Sequence, residues 1–144
     1  METTSLPFKA SAIERRCPRI LVVDDDHQYR DLVVRVLQSV GLQVGQADDG
    51  LKALKAYSQG SREGAAYDLV LLDLGLPVMS GRECLQKLIQ MDQRAKVMIT
   101  SGSDPFDELP QEIRALAKNF MQKPFSLKDL VAKVENLLGR KMTA

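Results

Sequence analysis

The chain has 144 residues, of which 44% are hydrophobic and 27% charged, and its basic and acidic side chains balance to a formal net charge of +1. This composition excludes collagen-like and intrinsically disordered chains, and the balanced charge provides no field that would draw nucleic acid or a membrane surface to the protein. The sequence has two cysteines without CxxC spacing, no apolar run long enough to span a bilayer and no secretory signal. These features favour a single soluble domain in the cytoplasm, and we expect neither membrane insertion nor direct binding of nucleic acid.

Short apolar runs alternate with amphipathic helical patterns along most of the chain. The runs are rich in β-branched residues, as strands buried on both faces are, and the helical stretches repeat apolar residues at intervals of three and four. Residues 1–17 lack both patterns and are predicted to be a disordered tail or an interdomain linker. The predicted elements are, in chain order, a strand at 20–23, a helix from Tyr29 to Val40 that ends before Gly41, a strand at 42–47, a helix at 51–57, a flexible connection at 58–66, a strand at 69–72, a helix after Ser80, a strand at 97–99, a short helix from about 110 to 117, a strand at 119–121 and a helix after Ser126.

Five strands that alternate with five helical segments predict an α/β fold, in which a mostly parallel sheet is covered by helices on both faces. In such folds the carboxyl ends of the strands lie along one edge of the sheet, where ligands bind. Residues that follow different strands therefore become neighbours in space. The polar residues in these positions are Asp24, Asp25, Asp26, Asp73, Thr100 and Lys123.

The chemistry of these residues suits a phosphoryl group. Converging carboxylates repel one another unless a cation lies between them, and hard oxygen ligands are those that Mg²⁺ prefers. A carboxylate can also act as a nucleophile that carries the phosphoryl group, while a lysine and a hydroxyl stabilise its oxygens. A structural alternative stays open for each acid, since the residues 24–26 could cap the following helix and Asp73 could belong to a turn.

Four stretches of the sequence, each at a predicted strand end, together resemble the receiver domain of two-component response regulators. They are Ile20–Asp26, Asp68–Pro77 followed by Ser80 and Gly81, Val97–Ser101, and Lys123–Phe125. The resemblance covers about residues 18–140 and leaves 141–144 as a tail. It implies a flavodoxin-like, CheY-like fold, in which the five strands of a parallel sheet lie in the order 2-1-3-4-5.

The resemblance also implies a Mg²⁺ site at the strand ends. Asp73 would be the phosphoacceptor and would bind the metal directly, together with Asp25 and the backbone carbonyl of Gly75, while Asp24 would hold the metal through water. In the family, the phosphoryl group comes from a phosphohistidine on a sensor histidine kinase or a histidine phosphotransfer protein. The aspartyl-phosphate then hydrolyses slowly, without turnover of an external substrate, so we do not expect an enzyme.

Further roles follow from the same resemblance. Thr100 and Lys123 would bind the phosphoryl oxygens, and Phe120 stands where the family keeps a switch aromatic. The peptide bond between Lys123 and Pro124 is expected to be cis. Phosphorylation would change the partner preference of the face formed by the fourth helix, the fifth strand and the fifth helix, where a downstream partner binds.

Three other functions stay open at this point. An aspartate-nucleophile phosphatase would use a second acid two residues after the nucleophile, where this chain has Gly75. A receiver that only mediates interactions would have a vestigial site, although the acidic, hydroxyl and lysine positions are intact. A flavodoxin-like redox protein shares the architecture, but carboxylates at the strand edge would repel a flavin phosphate. The chain could be a stand-alone receiver or the receiver of a hybrid histidine kinase.

Overall fold

The computed structural model describes residues 17–102, 109–117 and 119–141. The predicted tail or linker at 1–17 therefore lies outside the described residues except for Cys17, and the predicted tail at 141–144 lies outside them except for Lys141. No helix in the described ranges is both long enough and apolar enough to cross a membrane.

Strands and helices alternate along the described residues, and the strands form one sheet. The strands are β1 (Arg19–Val23), β2 (Gln43–Ala47), β3 (Leu69–Asp73), β4 (Val97–Ser101) and β5 (Asn119–Gln122). The helices are α1 (His27–Ser39), α2 (Gly50–Arg62), α3 (Gly81–Met91), α4 (Gln111–Leu116) and α5 (Leu127–Leu138). All neighbouring strands are parallel, and their order is β2-β1-β3-β4-β5. The predicted fold class and the predicted strand order are confirmed.

Each face of the sheet carries its own apolar layer, and the side chains of β1 contribute alternately to both. Ile20 and Val22 pack into the layer under α1 and α5, whereas Leu21 and Val23 pack into the layer under α2, α3 and α4. Because helices cover both faces, the strand has no polar side and appears in the sequence as an unbroken apolar run. Each large apolar side chain buried in this way contributes about 1.5–3 kcal/mol to folding.

Helix α2 is longer than the sequence indicates. The helix predicted at 51–57 and the flexible connection predicted at 58–66 are wrong in their boundary, because α2 continues to Arg62. Gly60, which suggested a loop, is buried within the helix, and a Cβ atom at this position would lie 2.8 Å from the carbonyl oxygen of Ala65. This glycine therefore permits a close approach of the backbone after the helix, and it does not mark a flexible segment.

Helix α3 begins directly against the end of β3. The Ser80 hydroxyl accepts a hydrogen bond from the Glu83 amide at 3.1 Å, which confirms the predicted cap, and the Gly81 amide donates to the carbonyl oxygen of Leu74 at 3.1 Å. A Cβ atom on Gly81 would lie 2.4 Å from the Cα atom of Leu74 and 2.5 Å from the carbonyl oxygen of Asp73. Only glycine fits there, since both neighbours are backbone atoms that cannot turn aside.

We expect Gly81→Ala to lower the free energy of unfolding by about 2–3 kcal/mol, because the added methyl group forces the backbone of β3 and α3 apart. Urea unfolding followed by circular dichroism measures the change. Gly102→Ala is the matched control, since no described residue lies within 4 Å of its Cβ position, and it should change stability by less than about 0.5 kcal/mol. Equal stabilities of the two variants would contradict this packing.

Candidate phosphoryl site

The strand ends place the predicted site residues next to one another. Asp73 lies beside Thr100 in the register of β3 and β4, and Thr100 lies beside Met121 in the register of β4 and β5. Lys123 follows β5, and its amide donates to the carbonyl oxygen of Ser101 at 2.7 Å. The last positions of the strands thus form a continuous row at one edge of the sheet.

Three carboxylates converge at this edge. Oxygen atoms of Asp24, Asp25 and Asp73 all lie within 4.8 Å of one another, and within the described part of the chain these residues form the group that could hold a metal ion. Asp24 is only 3% exposed and Asp73 only 7% exposed, whereas Asp25 is open to solvent. Two buried carboxylates at such close range require a compensating cation.

Lys123 places its ammonium group between the two buried carboxylates. The Nζ atom lies 2.8 Å from Oδ2 of Asp24 and 3.7 Å from Oδ2 of Asp73. The peptide bond between Lys123 and Pro124 is cis, as the resemblance implied. The side chain reaches back from the turn after β5 to the ends of β1 and β3, so one cation faces both acids.

Backbone amides orient the same carboxylates. The Asp26 amide donates to Oδ1 of Asp24 at 2.9 Å, and the Gly75 amide donates to Oδ1 of Asp73 at 3.3 Å. Asp26 itself caps α1, because its Oδ1 accepts from the Tyr29 amide at 3.2 Å. The capping interpretation therefore applies to Asp26, whereas Asp24 and Asp25 belong to the carboxylate group.

The sequence did not indicate the contribution of two α1 residues. Arg30 donates from Nη1 to the carbonyl oxygen of Asp24 at 2.7 Å, and the ring of Tyr29 lies under the Lys123 ammonium, with 4.5 Å between Nζ and the ring centroid. Tyr29 was predicted only as part of the apolar helix face. Burial, reinforced by the nearby charge of Asp24, raises the pKa of the Tyr29 phenol, so the ring stays neutral at physiological pH. Both residues follow the acidic residues by about one helical turn, and this spacing could have predicted that they lie near the site.

The remaining predicted residues lie around this group. Thr100 is buried next to Asp73, and Gly75 lines the exposed side of the cleft. Phe120 is partly buried one position before Met121 in β5, where it packs against the apolar layer that includes Ile113 of α4. The row of strand ends therefore connects the carboxylates with the face formed by α4, β5 and α5.

The acidic side chains of two clefts differ in their hydrogen-bond partners. The cleft over the carboxylate group has a volume of about 310 Å³ and is lined by Asp24, Asp25, Asp26, Asp73, Gly75, Ser101, Gly102 and Lys123. A larger cleft of about 550 Å³ lies at the amino ends of the strands. There the Asp92 carboxylate accepts hydrogen bonds from the Tyr57 hydroxyl at 2.7 Å and the Arg94 amide at 2.9 Å, and therefore has a structural role. The smaller cleft is the candidate for phosphoryl chemistry.

Burial raises the pKa of Asp73 above its ordinary value. The Lys123 ammonium and the hydrogen bond from the Gly75 amide lower this pKa. The negative charges of Asp24 and Asp25 raise it further. A carboxyl group whose folded-state pKa is raised binds more protons in the folded protein than in the unfolded chain. Its ionisation therefore lowers stability as the pH rises from the ordinary aspartate range through the folded-state pKa.

We expect Asp73→Asn to melt a few degrees above the wild type at pH 7 in the absence of divalent cations, because the amide carries no buried charge. The difference should shrink as the pH falls through the folded-state pKa, and it should vanish below the ordinary pKa of 3.8, where the carboxyl is protonated in both states. Thermal melts between pH 3 and 7 with a chelator measure it. Asp31→Asn, at an exposed ion pair with Arg35 on α1, is the control and should change little. A wild type as stable as Asp73→Asn at pH 7 would contradict the expectation.

Comparison with known proteins agrees with this geometry. The chain matches the family model "Response regulator receiver domain" over residues 20–135. It is 34% identical over 124 residues to the transcriptional regulatory protein PrrA of Mycobacterium tuberculosis, which covers 86% of this chain and 51% of PrrA. It is also 34% identical over 123 residues to the transcriptional regulatory protein QseB of Escherichia coli O157:H7, which covers 85% of this chain and 53% of QseB. The chain thus spans about half the length of the curated relatives it matches.

Solved structures show the same architecture. A CheY-like response regulator receiver domain protein from Methanospirillum hungatei superposes with a TM-score of 0.76 at 27% identity, over 86% of this chain and 95% of that one. The response regulator TrrA of Thermotoga maritima, solved in complex with Mg²⁺ and a beryllium fluoride, superposes with a TM-score of 0.73 at 31% identity, over 83% of this chain and 98% of that one. TrrA has also been solved in complex with the histidine kinase ThkA.

Proposed function

Since the chain belongs to the response regulator receiver domain family, we propose that Asp73 is its phosphoacceptor and takes a phosphoryl group from a phosphohistidine in a Mg²⁺-dependent reaction. The observation that carries this proposal is the position of the Lys123 ammonium between the carboxylates of Asp24 and Asp73 at one edge of the sheet. The arrangement provides a nucleophile, a fixed cation and a set of hard oxygen ligands within one small cleft.

The donor set fits Mg²⁺. Two oxygens on opposite sides of a Mg²⁺ ion lie about 4.2 Å apart, so carboxylate oxygens within 4.8 Å of one another can surround one ion after small side-chain rotations. We assign Asp25, Asp73 and the Gly75 carbonyl as direct ligands and Asp24 as a ligand through water, as the family pattern implies. When bound, the metal neutralises charge on the acids and on the phosphoryl oxygens.

Asp73, Lys123 and Thr100 have different roles in the phosphoryl transfer. An oxygen of the Asp73 carboxylate forms the new bond to phosphorus while the bond from phosphorus to the donor histidine nitrogen breaks. Lys123, 3.7 Å from Oδ2 of Asp73, stabilises the negative charge on the transferred group. Thr100, beside Asp73 in the register, donates its hydroxyl to a phosphoryl oxygen after the transfer.

This donation couples the site to the signalling face. Thr100 is paired with Met121 in β5, and Phe120 precedes Met121, so movement of the hydroxyl towards the phosphoryl group biases the packing of β5. We propose that the face formed by α4, β5 and α5 then binds a downstream protein with altered affinity. We also propose that this domain itself does not bind nucleic acid, given its net charge of +1.

A sensor histidine kinase or a histidine phosphotransfer protein is the proposed donor, and the structure of TrrA with the histidine kinase ThkA supports this class of partner. Gly75, two residues after Asp73, has no side chain to act as a general acid, which argues against a phosphatase and for slow loss of the phosphoryl group. We propose a cytoplasmic location, because Cys17 and Cys84 are both free thiols.

The direct test is incubation of the purified chain with acetyl phosphate, with and without Mg²⁺, followed by intact-protein mass spectrometry. We expect a gain of one phosphoryl group that requires Mg²⁺ and decays with time. A colorimetric assay with a small phosphoester runs in parallel and should show no turnover. Rapid turnover of the phosphoester without a stable mass gain would support the phosphatase instead.

A further inference from the structure

Among the residues that the structure describes, Tyr29 provides a third contact of the Lys123 ammonium. The other two contacts are the carboxylates of Asp24 and Asp73, and the ring centroid of Tyr29 lies 4.5 Å from Nζ. This distance is within the range of a cation–π interaction, in which the electron-rich face of the ring attracts the cation. The ammonium is therefore held by two charged groups and one neutral group.

Tyr29 is itself held in place by its surroundings. Its amide donates to the Asp26 carboxylate that caps α1, and its ring packs edge-to-face on Phe125, with centroids 5.9 Å apart and an interplanar angle of 79°. The buried hydroxyl oxygen of Tyr29 has no hydrogen-bond partner among the described residues. The ring, and not the hydroxyl, is consequently the part of this side chain that acts on the site.

The three contacts of Lys123 differ in what happens to them during phosphoryl transfer. The carboxylates of Asp24 and Asp73 are shared with the metal and with the incoming phosphoryl group, so their attraction for the ammonium weakens when the site is in use. The ring of Tyr29 does not ligate the metal and carries no charge. Its attraction for the ammonium stays constant, and it limits the rotamers that the long lysine side chain can adopt.

We propose that Tyr29 is a positioning residue, which holds the Lys123 ammonium over the cleft when the carboxylates of Asp24 and Asp73 are engaged. This inference rests on the proposed function of Asp73. It predicts that the aromatic ring, and not the hydroxyl, supports the rate of phosphoryl transfer through Lys123.

Two substitutions separate the ring from the hydroxyl. Tyr29→Leu should lower the rate of phosphorylation by acetyl phosphate at saturating Mg²⁺ by about fivefold to tenfold, the effect of losing one partly desolvated cation–π contact. Tyr29→Phe keeps the aromatic ring, and its phosphorylation rate should stay within about twofold of the wild type. Val33→Ala, at a buried position one turn later on α1, controls for loss of packing and should leave the rate unchanged in the folded protein.

A double-mutant cycle tests whether the effect passes through Lys123. In a Lys123→Met background, Tyr29→Leu should change the remaining rate by less than about twofold, since the ammonium that the ring holds is gone. An equal loss of rate in both backgrounds would show that Tyr29 acts only through packing, and it would overturn the inference.

A second measurement needs no phosphorylation. Acetic anhydride labelling followed by peptide mass spectrometry reports how freely the Lys123 amine reacts at saturating Mg²⁺, when the carboxylates of Asp24 and Asp73 are engaged. Tyr29→Leu should raise its labelling rate severalfold, and Tyr29→Phe should not. Unchanged labelling in Tyr29→Leu would overturn the inference even if the wild type is phosphorylated normally. A wild type that is never phosphorylated, with raised labelling in Tyr29→Leu, would instead overturn the proposed function and keep the contact.

Discussion

Asp73→Asn is expected to abolish the gain of one phosphoryl group that the wild type shows with acetyl phosphate and Mg²⁺. The two side chains have nearly the same size, so the variant keeps its fold, but the amide nitrogen and oxygen of asparagine are poor nucleophiles and cannot form an acyl phosphate. Asp73 is 7% exposed at the end of β3 beside Lys123.

The matched control for this variant is Asp26→Asn. Asp26 lines the same cleft, but its carboxylate caps α1, and asparagine caps helices about as well as aspartate. Intact-protein mass spectrometry should therefore show full phosphorylation of Asp26→Asn and none of Asp73→Asn. The same mass gain in Asp73→Asn would mean that another side chain accepts the phosphoryl group.

Lys123→Met should slow phosphorylation by about 100-fold to 1,000-fold at saturating Mg²⁺. The effect is that of removing one preorganised group that stabilises charge developing in the transition state. Methionine keeps the length and the apolar part of the side chain, so the change isolates the ammonium, whose Nζ lies 3.7 Å from Oδ2 of Asp73. Single-turnover phosphorylation rates measure the loss.

The same variant should bind Mg²⁺ more tightly, by about fivefold, because the ammonium no longer competes for the Asp24 oxygen that lies 2.8 Å from Nζ. Titration calorimetry of Mg²⁺ measures this second effect. Lys96→Met is the control, since Nζ of Lys96 donates to the carbonyl oxygen of Leu137 away from the cleft, and neither quantity should change. Weaker Mg²⁺ binding in Lys123→Met would contradict the arrangement of cation and carboxylates described above.

The fold could be predicted from the sequence because its strands are buried on both faces. An apolar run such as 20–23 or 69–72 fits few environments other than the centre of a parallel sheet, and the polar residue after each run marks its carboxyl end. Since parallel strands bring these ends to one edge, Asp73 and Thr100 could be predicted as neighbours without any knowledge of side-chain geometry.

Other features depend on contacts that a linear pattern does not contain. The extent of α2 was underestimated, because Gly60 appears as a helix breaker in the sequence but serves a close backbone approach by Ala65 in the fold. The contact of Tyr29 with Lys123 joins α1 to the turn after β5, and it depends on the direction of two side chains. Such contacts follow from packing, so the sequence could indicate the site but not the neutral ring beneath its cation.

Borohydride reduction of the phosphorylated chain tests the central claim most directly. Borohydride reduces an acyl phosphate of aspartate to homoserine, whereas phosphohistidine gives no homoserine. Peptide mass spectrometry of the wild type, treated first with acetyl phosphate and Mg²⁺, should therefore find homoserine at position 73. Homoserine at position 24 or 25, or a phosphoryl group retained on His27, which follows Asp26 in the chain, would contradict the assignment of Asp73 as the phosphoacceptor.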